Sequence, residues 1–265
     1  MSDKTYQWNA RDYAEHSSEQ LRWAEQLIAK MRLRGNEALL DIGCGDGKVS
    51  AHLASCLPEG SVFAVDSSQE MTDLAARRYP RASFPNLSFQ KQDVRTLAFE
   101  NRFDTVFSNA AIHWVRDHTA FLPKIRTSLK PSGKLFFQMG GRGNAEDVLS
   151  VLDEITEKEK WKPYFRDFEF SYGFYGPEEY EKWLSQAGFR PERLELLPKN
   201  MEHSGRKGLI GWIRSTWLPY TEPIPPDARE SFIEEIADTY LGIHPPDNEG
   251  FVHIRMMRLE VEAGR

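Results

Sequence analysis

Short apolar runs alternate with amphipathic segments along the first half of the chain. The runs are typical of strands buried on both faces, and they cover residues 38–42, 61–65, 87–90, 103–108 and 134–139. Apolar residues at helical spacing predict helices over 48–55, 69–78 and 119–129, preceded by one or two helices within 11–31. This alternation indicates right-handed βαβ units and a parallel sheet covered by helices on both faces.

The pattern changes after residue 140. We predict a helix over 145–160, an aromatic-rich segment over 161–175, and a helix over 177–187 with Gly188 as its C-cap. A strand over 189–197, helices over 207–217 and 227–240, and a strand over 251–261 follow. The predicted fold is therefore α/β, with a doubly wound, mostly parallel seven-stranded sheet and a helical lid.

Composition and charge narrow the classes of function. The 265 residues are 40% hydrophobic and carry a formal net charge of −6, and an acidic balance argues against nucleic acid as a partner. No run approaches the roughly 18 apolar residues of a membrane span, and the first residues lack a secretory signal. The two cysteines, Cys44 and Cys56, fit a reducing compartment. We expect a cytoplasmic protein without a nucleic-acid or membrane partner and without a metal site.

A glycine-rich loop, GCGDG at 43–47, follows the first predicted strand. A dinucleotide-binding fingerprint requires a third glycine where this chain has Lys48, and the phosphate-binding P-loop motif is absent. Asp41, Asp66 and Asp93 lie at the ends of the first three strands. A carboxylate at the position of Asp66 is suited to ribose hydroxyls. The acidic rim therefore favours a nucleoside ligand that carries positive charge.

The segments LDIGCGDG, VFAVDSS, QKQDV, FDTVFSNAAIHWV and LKPSGKLFFQMGG occur in this order within residues 39–141. Together they resemble the class I S-adenosylmethionine-dependent methyltransferases. The resemblance implies a Rossmann-like methyltransferase fold and S-adenosyl-L-methionine as the cofactor. A small-molecule acceptor is the expected second ligand.

The resemblance also implies roles for single residues. Asp41 would act near the amino group of the cofactor, Asp66 would hold its ribose hydroxyls, and Asp93 with Val94 would hold its adenine. Four residues would lie along its methionyl part: Gly43, Gly45, Asn109 and Ala110. Tyr13 would close over the cofactor, and Cys44, Ser67 and Met71 are further candidates for binding it.

The segment NAAIHWV, at 109–115, is expected to face the transferred methyl group. His113 is a candidate general base, and Trp114 can donate its indole N–H to an acceptor oxygen. Alternatively, His113 stabilises the loop and Trp114 packs beneath the lid. A carboxylate acceptor is already ionised and needs no base, whereas an amine or phenol usually does.

A narrower resemblance favours a carboxylate as the methyl acceptor. The segments YAEHSSEQLRWA, HWV and KWKPYFRDF are similar to the trans-aconitate and juvenile hormone acid methyltransferases, which methylate carboxylate oxygens. The likeness implies that Gln20 and Trp114 grip the acceptor carboxylate. The aromatic segment suggests an apolar acceptor pocket, although aromatic residues also pack helical lids. A polycarboxylate acceptor would need converging arginines, for which Arg166, Arg206 and Arg214 are available.

We therefore predict a methyltransferase for a small acid, with N-, C- or S-methylation using His113 as base as the alternative. A non-catalytic cofactor-binding protein and a macromolecular methyltransferase stay open, as do a monomer and a homodimer. We expect residues 1–38 to cover the cofactor site and 39–142 to form the cofactor-binding core. Residues 143–176 and 199–250 would form the lid, and 177–198 with 251–265 would complete the sheet.

Overall fold

The computed structural model describes residues 18–265, and their side chains from residue 21 onward. The strands are β1 (Ala38–Ile42), β2 (Ser61–Asp66), β3 (Leu87–Lys91), β4 (Phe103–Asn109), β5 (Leu129–Gly140), β6 (Arg190–Ser204) and β7 (Phe251–Gly264). The helices are α1 (Ser18–Met31), α2 (Lys48–Cys56), α3 (Gln69–Arg78), α4 (His118–Ser128), α5 (Glu146–Thr156), α6 (Pro177–Gln186), α7 (Gly205–Thr216), α8 (Leu218–Thr221) and α9 (Pro226–Ile243). No helix in this range is long and apolar enough to cross a membrane.

The strands form one seven-stranded sheet in the order β3-β2-β1-β4-β5-β7-β6. The pairs β1–β2, β1–β4, β2–β3 and β4–β5 are parallel, whereas β7 runs antiparallel to β5. The predicted doubly wound, mostly parallel α/β fold is confirmed. The strand order reverses between β1 and β4, and open α/β sheets bind ligands beyond the carboxyl ends of strands at such a switch point.

The central strands are buried on both faces because consecutive apolar residues point to opposite sides of the sheet. Leu40 and Phe137 belong to one core cluster, which includes apolar residues of α4 and α6. Their neighbours Leu39 and Phe136 belong to the other cluster, which includes residues of α1 and α2. The two clusters hold the sheet rigidly between helices and so give its carboxyl edge a defined shape.

The described residues divide into two compact units. The sheet unit comprises residues 18–142, Tyr172–Leu197 and Arg258–Arg265, and the helical unit comprises Gly143–Ser171 and Pro198–Met257. Within the helical unit, α9 packs against α5 and α7. Its interior is aromatic, since Trp161 packs edge-on against Phe232 and Phe168 lies 4.6 Å from Tyr220 between ring centroids.

Several predicted boundaries differ from the structure; β5, for example, begins at Leu129 rather than at residue 134, and β7 ends at Gly264 rather than at residue 261. Two other differences have identifiable reasons. The helix predicted over 145–160 ends at Thr156, because Lys158 and the indole N–H of Trp161 both bond to Glu235 of α9, at 3.0 and 2.8 Å. The strand predicted over 189–197 continues to Ser204. It passes through Pro198 because β6 is an edge strand, where a proline removes no necessary ladder bond.

A buried ionic cluster joins α1 to the antiparallel side of the sheet unit. The side chain of Glu260 on β7 is 0% exposed, and it accepts from Lys30 Nζ and Arg193 Nη1, each at 2.6 Å, and from Gln138 Nε2 at 2.9 Å. Burial alone would raise the pKa of Glu260, but the two cations outweigh it and the pKa is lowered. Glu260 therefore stays ionised at neutral pH.

We predict that Glu260→Ala lowers the free energy of unfolding at pH 7 by about 3–5 kcal/mol, because it leaves two cations without their buried counter-charge. The difference in the free energy of unfolding between wild type and Glu260→Ala should narrow below about pH 4. At that pH wild-type Glu260 also loses its charge and its stabilising contribution. Urea unfolding at both pH values measures this effect. Glu195→Ala is the matched control, because exposed Glu195 shares Arg193 as its partner and should cost less than about 1 kcal/mol. Equal losses in the two variants would contradict a special role of Glu260.

Candidate functional site

The glycine loop between β1 and α2 is held against the end of β2. The backbone N–H groups of Gly43 and Cys44 both donate to the carbonyl of Val65, at 2.8 and 3.0 Å. Gly43 adopts a φ of +76°, and a Cβ there would lie 2.1 Å from the Cβ of Ala111. Only glycine fits this position, so the loop and the segment after β4 approach more closely than any side chain would allow.

Asp66 connects this loop to the start of α3. One carboxylate oxygen accepts the N–H of Gly45 and the other accepts the N–H of Ser68, both at 2.9 Å. Ser68 in turn caps α3 by accepting the N–H of Met71 at 3.3 Å. The structure thus brings together Gly45, Asp66, Ser67 and Met71, four of the residues predicted to surround the cofactor.

Asp41 is a second acid beside the same loop, and unlike half-buried Asp66 it is buried. Its carboxylate accepts the hydroxyl of Ser50 at 2.6 Å. Burial raises the pKa of Asp41 to about 7, an effect that Ser50 opposes and the neighbouring charge of Asp66 reinforces. Burial and the same two acids raise the pKa of the Cys44 thiol well above its usual value, which keeps it neutral. Two adjacent carboxylates in an apolar setting fit a ligand with positive charge.

The third predicted acid has a different environment. Both oxygens of Asp93 bind Arg95: its Nε lies 2.9 Å from Oδ1 and its Nη2 lies 2.5 Å from Oδ2. Burial would raise the pKa of Asp93, but Arg95 more than compensates and the pKa is lowered. Asp93 also caps the single 3-10 turn Val94–Thr96, which sets buried Val94 at the end of β3.

The end of β4 is tied to its neighbours by two hydrogen bonds. The hydroxyl of Ser108 donates to the carbonyl of Ile42, and the N–H of Ala110 donates to the carbonyl of Gln138, both at 2.8 Å. Ala110 adopts a φ of +54°, which is uncommon for a residue with a side chain. These contacts place Asn109 and Ala110 at the same carboxyl edge as the glycine loop.

Four rings of the sheet unit form a cluster that we call the aromatic box: His113, Trp114, Tyr172 and Phe174. Trp114 and Tyr172 meet edge-on with ring centroids 4.4 Å apart, and His113 lies 5.7 Å from Tyr172 and 5.8 Å from Phe174. The N–H of Gly173 donates to the carbonyl of His113 at 2.7 Å. A Cβ on Gly173 would lie 2.5 Å from the ring of Tyr175, so the box depends on a glycine at this position.

His113 is buried and neutral. Burial, followed by the positive charge of Arg258 and a contribution from neighbouring His118, lowers its pKa well below the usual value. Its Nδ1 is buried and has no hydrogen-bond partner among residues 18–265. A histidine with so low a pKa is a weak proton acceptor at neutral pH.

A second histidine positions the turn that carries His113. His118 Nε2 lies 3.1 Å from the carbonyl of Ile112, and its Nδ1 lies 2.5 Å from the hydroxyl of Tyr180. Burial lowers the pKa of His118 to about 4, so the ring is neutral and acts as both donor and acceptor. The 3-10 turn Ile112–Trp114 is therefore anchored to α4 and α6.

The three arginines considered for a polycarboxylate acceptor belong to the helical unit. The side chains of Arg206 and Arg214 pair with Asp238 and Glu230, Arg206 at 2.6 Å and Arg214 at 2.5 Å, and Arg166 is exposed. Tyr13 and the side chain of Gln20 lie outside the described residues. Among the described residues, no group of three His, Cys, Asp or Glu side chains is arranged to hold a metal ion.

Sequence reasoning placed Tyr172 and Phe174 in an aromatic segment that suggests an acceptor pocket or a packed lid, but it did not pair them with His113. No local motif marks these residues, because 59 positions separate Tyr172 from His113 along the chain.

Residues 39–133 match the family described as a methyltransferase domain. Trans-aconitate 2-methyltransferase of Methylobacterium nodulans is 27% identical, and the alignment covers 97% of this chain and 98% of that protein.

Two solved structures share the fold. Phosphoethanolamine N-methyltransferase 2 of Haemonchus contortus, solved with S-adenosylhomocysteine, has a TM-score of 0.61 and 20% identity, covering 97% of this chain and 57% of that one. Geranyl diphosphate C-methyltransferase of Streptomyces coelicolor, also solved with S-adenosylhomocysteine, has a TM-score of 0.56 and 15% identity, covering 96% and 83%.

We predict that Asp41→Asn stabilises the ligand-free protein at pH 8 by about 1–4 kcal/mol. Folded Asp41 holds its proton up to about pH 7, whereas unfolded Asp41 loses it near pH 4, so wild-type stability falls as the pH rises between these values. Asparagine does not titrate, so it removes this pH dependence of stability, and wild type and variant should be nearly equal in stability at pH 4. Denaturant unfolding at pH 4 and 8 measures the difference. Equal stability at pH 8 would contradict the raised pKa.

Proposed function

Because this chain is an S-adenosylmethionine-dependent methyltransferase, we propose that it methylates a carboxylate oxygen of a small-molecule acid. The observation that carries the proposal is the neutral, buried His113 in the aromatic box, with its pKa far below neutrality. Such a ring is poorly suited to deprotonate an amine or phenol. An acid ionised at neutral pH needs no such help.

The cofactor end of the site consists of Asp41, Asp66 and the glycine loop. Bound S-adenosylmethionine supplies a methyl group on a cationic sulfonium, so an ionised carboxylate can accept it without a proton transfer. We assign the ribose hydroxyls to Asp66, whose carboxylate is already oriented by the N–H groups of Gly45 and Ser68. Asp41 supplies negative charge at this end. Because Gly43 has no side chain and lies close to Ala111, the loop would present its backbone, and no side chain, to the cofactor at this point.

We further assign the adenine end to Val94 and the loop after β3. Asp93 would orient this loop, because its carboxylate binds Arg95 and caps the turn that carries Val94. Asn109 and Ala110 would complete the methionyl side, and Tyr13 would cover the cofactor. This division differs from the expectation that the Asp93 carboxylate itself holds the adenine.

The acceptor end is the aromatic box. Trp114 would donate its indole N–H to the acceptor carboxylate and Gln20 would grip the same group, while Tyr172 and Phe174 would contact an apolar body. Arg206 and Arg214 pair with acids of α9, which speaks against a tricarboxylate held by several arginines. Trans-aconitate 2-methyltransferase relatives support an acid acceptor; the box favours one with an apolar or aromatic body.

Two features support a small-molecule enzyme of the cytoplasm. Cys44 and Cys56 are both free, as is usual in a reducing compartment. The chain carries a net charge of −6, which would repel a nucleic-acid substrate.

A labelling experiment tests the proposal directly. The protein is incubated with S-adenosylmethionine labelled in its methyl group and with cinnamate, decanoate or trans-aconitate; cinnamamide, phenethylamine and p-cresol serve as controls. We expect label on the acids, with cinnamate and decanoate ahead of trans-aconitate, and its release as volatile methanol after alkali because esters hydrolyse. Alkali-stable label on the amine or phenol would contradict the proposal. Binding of S-adenosylhomocysteine without any transfer would favour a non-catalytic protein.

His113→Asn separates the two acceptor chemistries in the same assay. Loss of a general base typically lowers the rate by about 10²–10⁴-fold. If the enzyme methylates carboxylates, His113→Asn should turn over cinnamate at a rate within about 10-fold of the wild-type rate, because the variant loses only the packing of the ring. A loss in the general-base range, together with a rate that rises through the pKa of a single group in the wild type, would identify His113 as a base.

A further inference from the structure

We propose that the ion pair between Asp46 and Arg78 holds the glycine loop in its cofactor-binding shape and so raises the affinity for S-adenosylmethionine. We call this pair the loop latch. Neither residue is among those predicted to contact the cofactor, and both act as positioning residues through the loop. The inference concerns cofactor binding alone, so it does not depend on the proposed carboxyl methylation.

The glycine loop needs support from outside because of its composition. Gly43, Gly45 and Gly47 all adopt positive φ, at +76°, +52° and +82°. Glycine has more backbone freedom than any other residue, so ordering such a loop is costly in conformational entropy. If the loop relaxes in the free protein, the ligand must order it again, which weakens binding. Contacts that order the loop beforehand therefore increase affinity without touching the ligand.

Asp46 connects the loop to both helices that flank it. The N–H groups of the three preceding loop residues bond to the end of β2. Asp46 continues this series with its side chain, because its Oδ2 lies 2.7 Å from Nη1 of Arg78 in the last turn of α3. Its Oδ1 accepts the N–H of Lys48, the first residue of α2, at 3.3 Å. The loop latch thus joins the loop and the start of α2 to the end of α3.

One face of α3 lies against the loop. Ala75 and Arg78 are three positions apart and share this face of the helix. The small side chain of Ala75 allows a close approach, since a Cβ on Gly47 would lie 2.8 Å from the Cβ of Ala75. At the start of the same helix, Asp66 accepts one N–H of the loop and one N–H of the helix N-cap. The loop is therefore fastened to α3 at its start, in its middle and at its end.

Burial distinguishes the loop latch from a surface salt bridge. Exposed pairs contribute little because water and salt screen them. The side chain of Asp46 is only 6% exposed, whereas that of Arg78 is 39% exposed. Loss of Arg78 would leave this shielded carboxylate with Lys48 Nζ, at 3.9 Å, as its nearest cation. The loop would then gain free energy by moving Asp46 toward water, and its cofactor-binding shape would become less populated.

Calorimetry with S-adenosylhomocysteine, combined with the free energy of unfolding of each variant, tests the loop latch. In Arg78→Met and in Asp46→Asn we expect Kd to rise at least about 5-fold, because Kd increases as the fraction of molecules with an ordered loop falls. The double variant should bind no more weakly than the weaker single variant, since the two residues act as one pair.

Two further variants serve as controls. Arg78→Lys can still place a cation beside Asp46, so its Kd should stay within about 3-fold of the wild-type value. Arg77→Met is the matched control, because exposed Arg77 lies in the same last turn of α3. Its Kd should stay within about 2-fold of the wild-type value.

Amide hydrogen exchange identifies the loop as the cause of any change in affinity. The N–H groups of Gly45 and Gly47 are both hydrogen-bonded within the loop region. In the ligand-free state they should exchange faster in Arg78→Met than in wild type. This difference should disappear when S-adenosylhomocysteine saturates both proteins, because the ligand then holds the loop.

A merely structural ion pair gives a different result. It would lower the free energy of unfolding but leave the Kd of the folded protein unchanged, and that outcome would overturn the proposal. Additive losses of affinity in the double variant, or unchanged exchange in the loop, would also overturn it. If Asp46→Asn does not fold, Arg78→Met and the exchange measurement decide between the same outcomes. No acceptor is present in these measurements, so failure of carboxyl methylation would leave the inference standing.

Discussion

Two partly or fully buried carboxylates at the ends of adjacent parallel strands, Asp41 and Asp66, are the constraint on which the site depends. Ionised acids are costly in an apolar setting, and the fold compensates locally: Ser50 donates to Asp41, and the N–H groups of Gly45 and Ser68 donate to Asp66. The same bonds tie the glycine loop to the start of α3. The raised pKa values of both acids show that compensation is incomplete, which fits a site that binds a cation.

The remaining charges extend this arrangement across the carboxyl edge of the sheet. Glu260 neutralises Lys30 and Arg193 on the antiparallel side, whereas Arg258, two residues earlier on β7, lies at the end of β5. β7 thus carries an ionic cluster that stabilises the fold.

The sequence predicted the parts of the site that depend on neighbouring positions. Strand ends carry Asp41 and Asp66 beside the glycine loop, and these contacts follow from local chain geometry. Contacts between distant segments could not be predicted: the packing of Tyr172 against His113 requires the tertiary fold, as does the stacking of Arg258 on Trp23. Asp93 is a third case. Its position after β3 was predicted, but the binding of its carboxylate by the Arg95 side chain depends on side-chain geometry that the sequence does not show.

Proton exchange on cofactor binding tests the central claim most directly. Calorimetry of S-adenosylmethionine binding at pH 7, in two buffers of different ionisation enthalpy, gives the number of protons released. Because Asp41 is about half protonated there and a nearby cation favours its ionised form, the wild type should release up to about 0.5 proton more than Asp41→Asn. The same proton count in the two proteins would contradict the account, since the buried acid would then not respond to the charge of the cofactor.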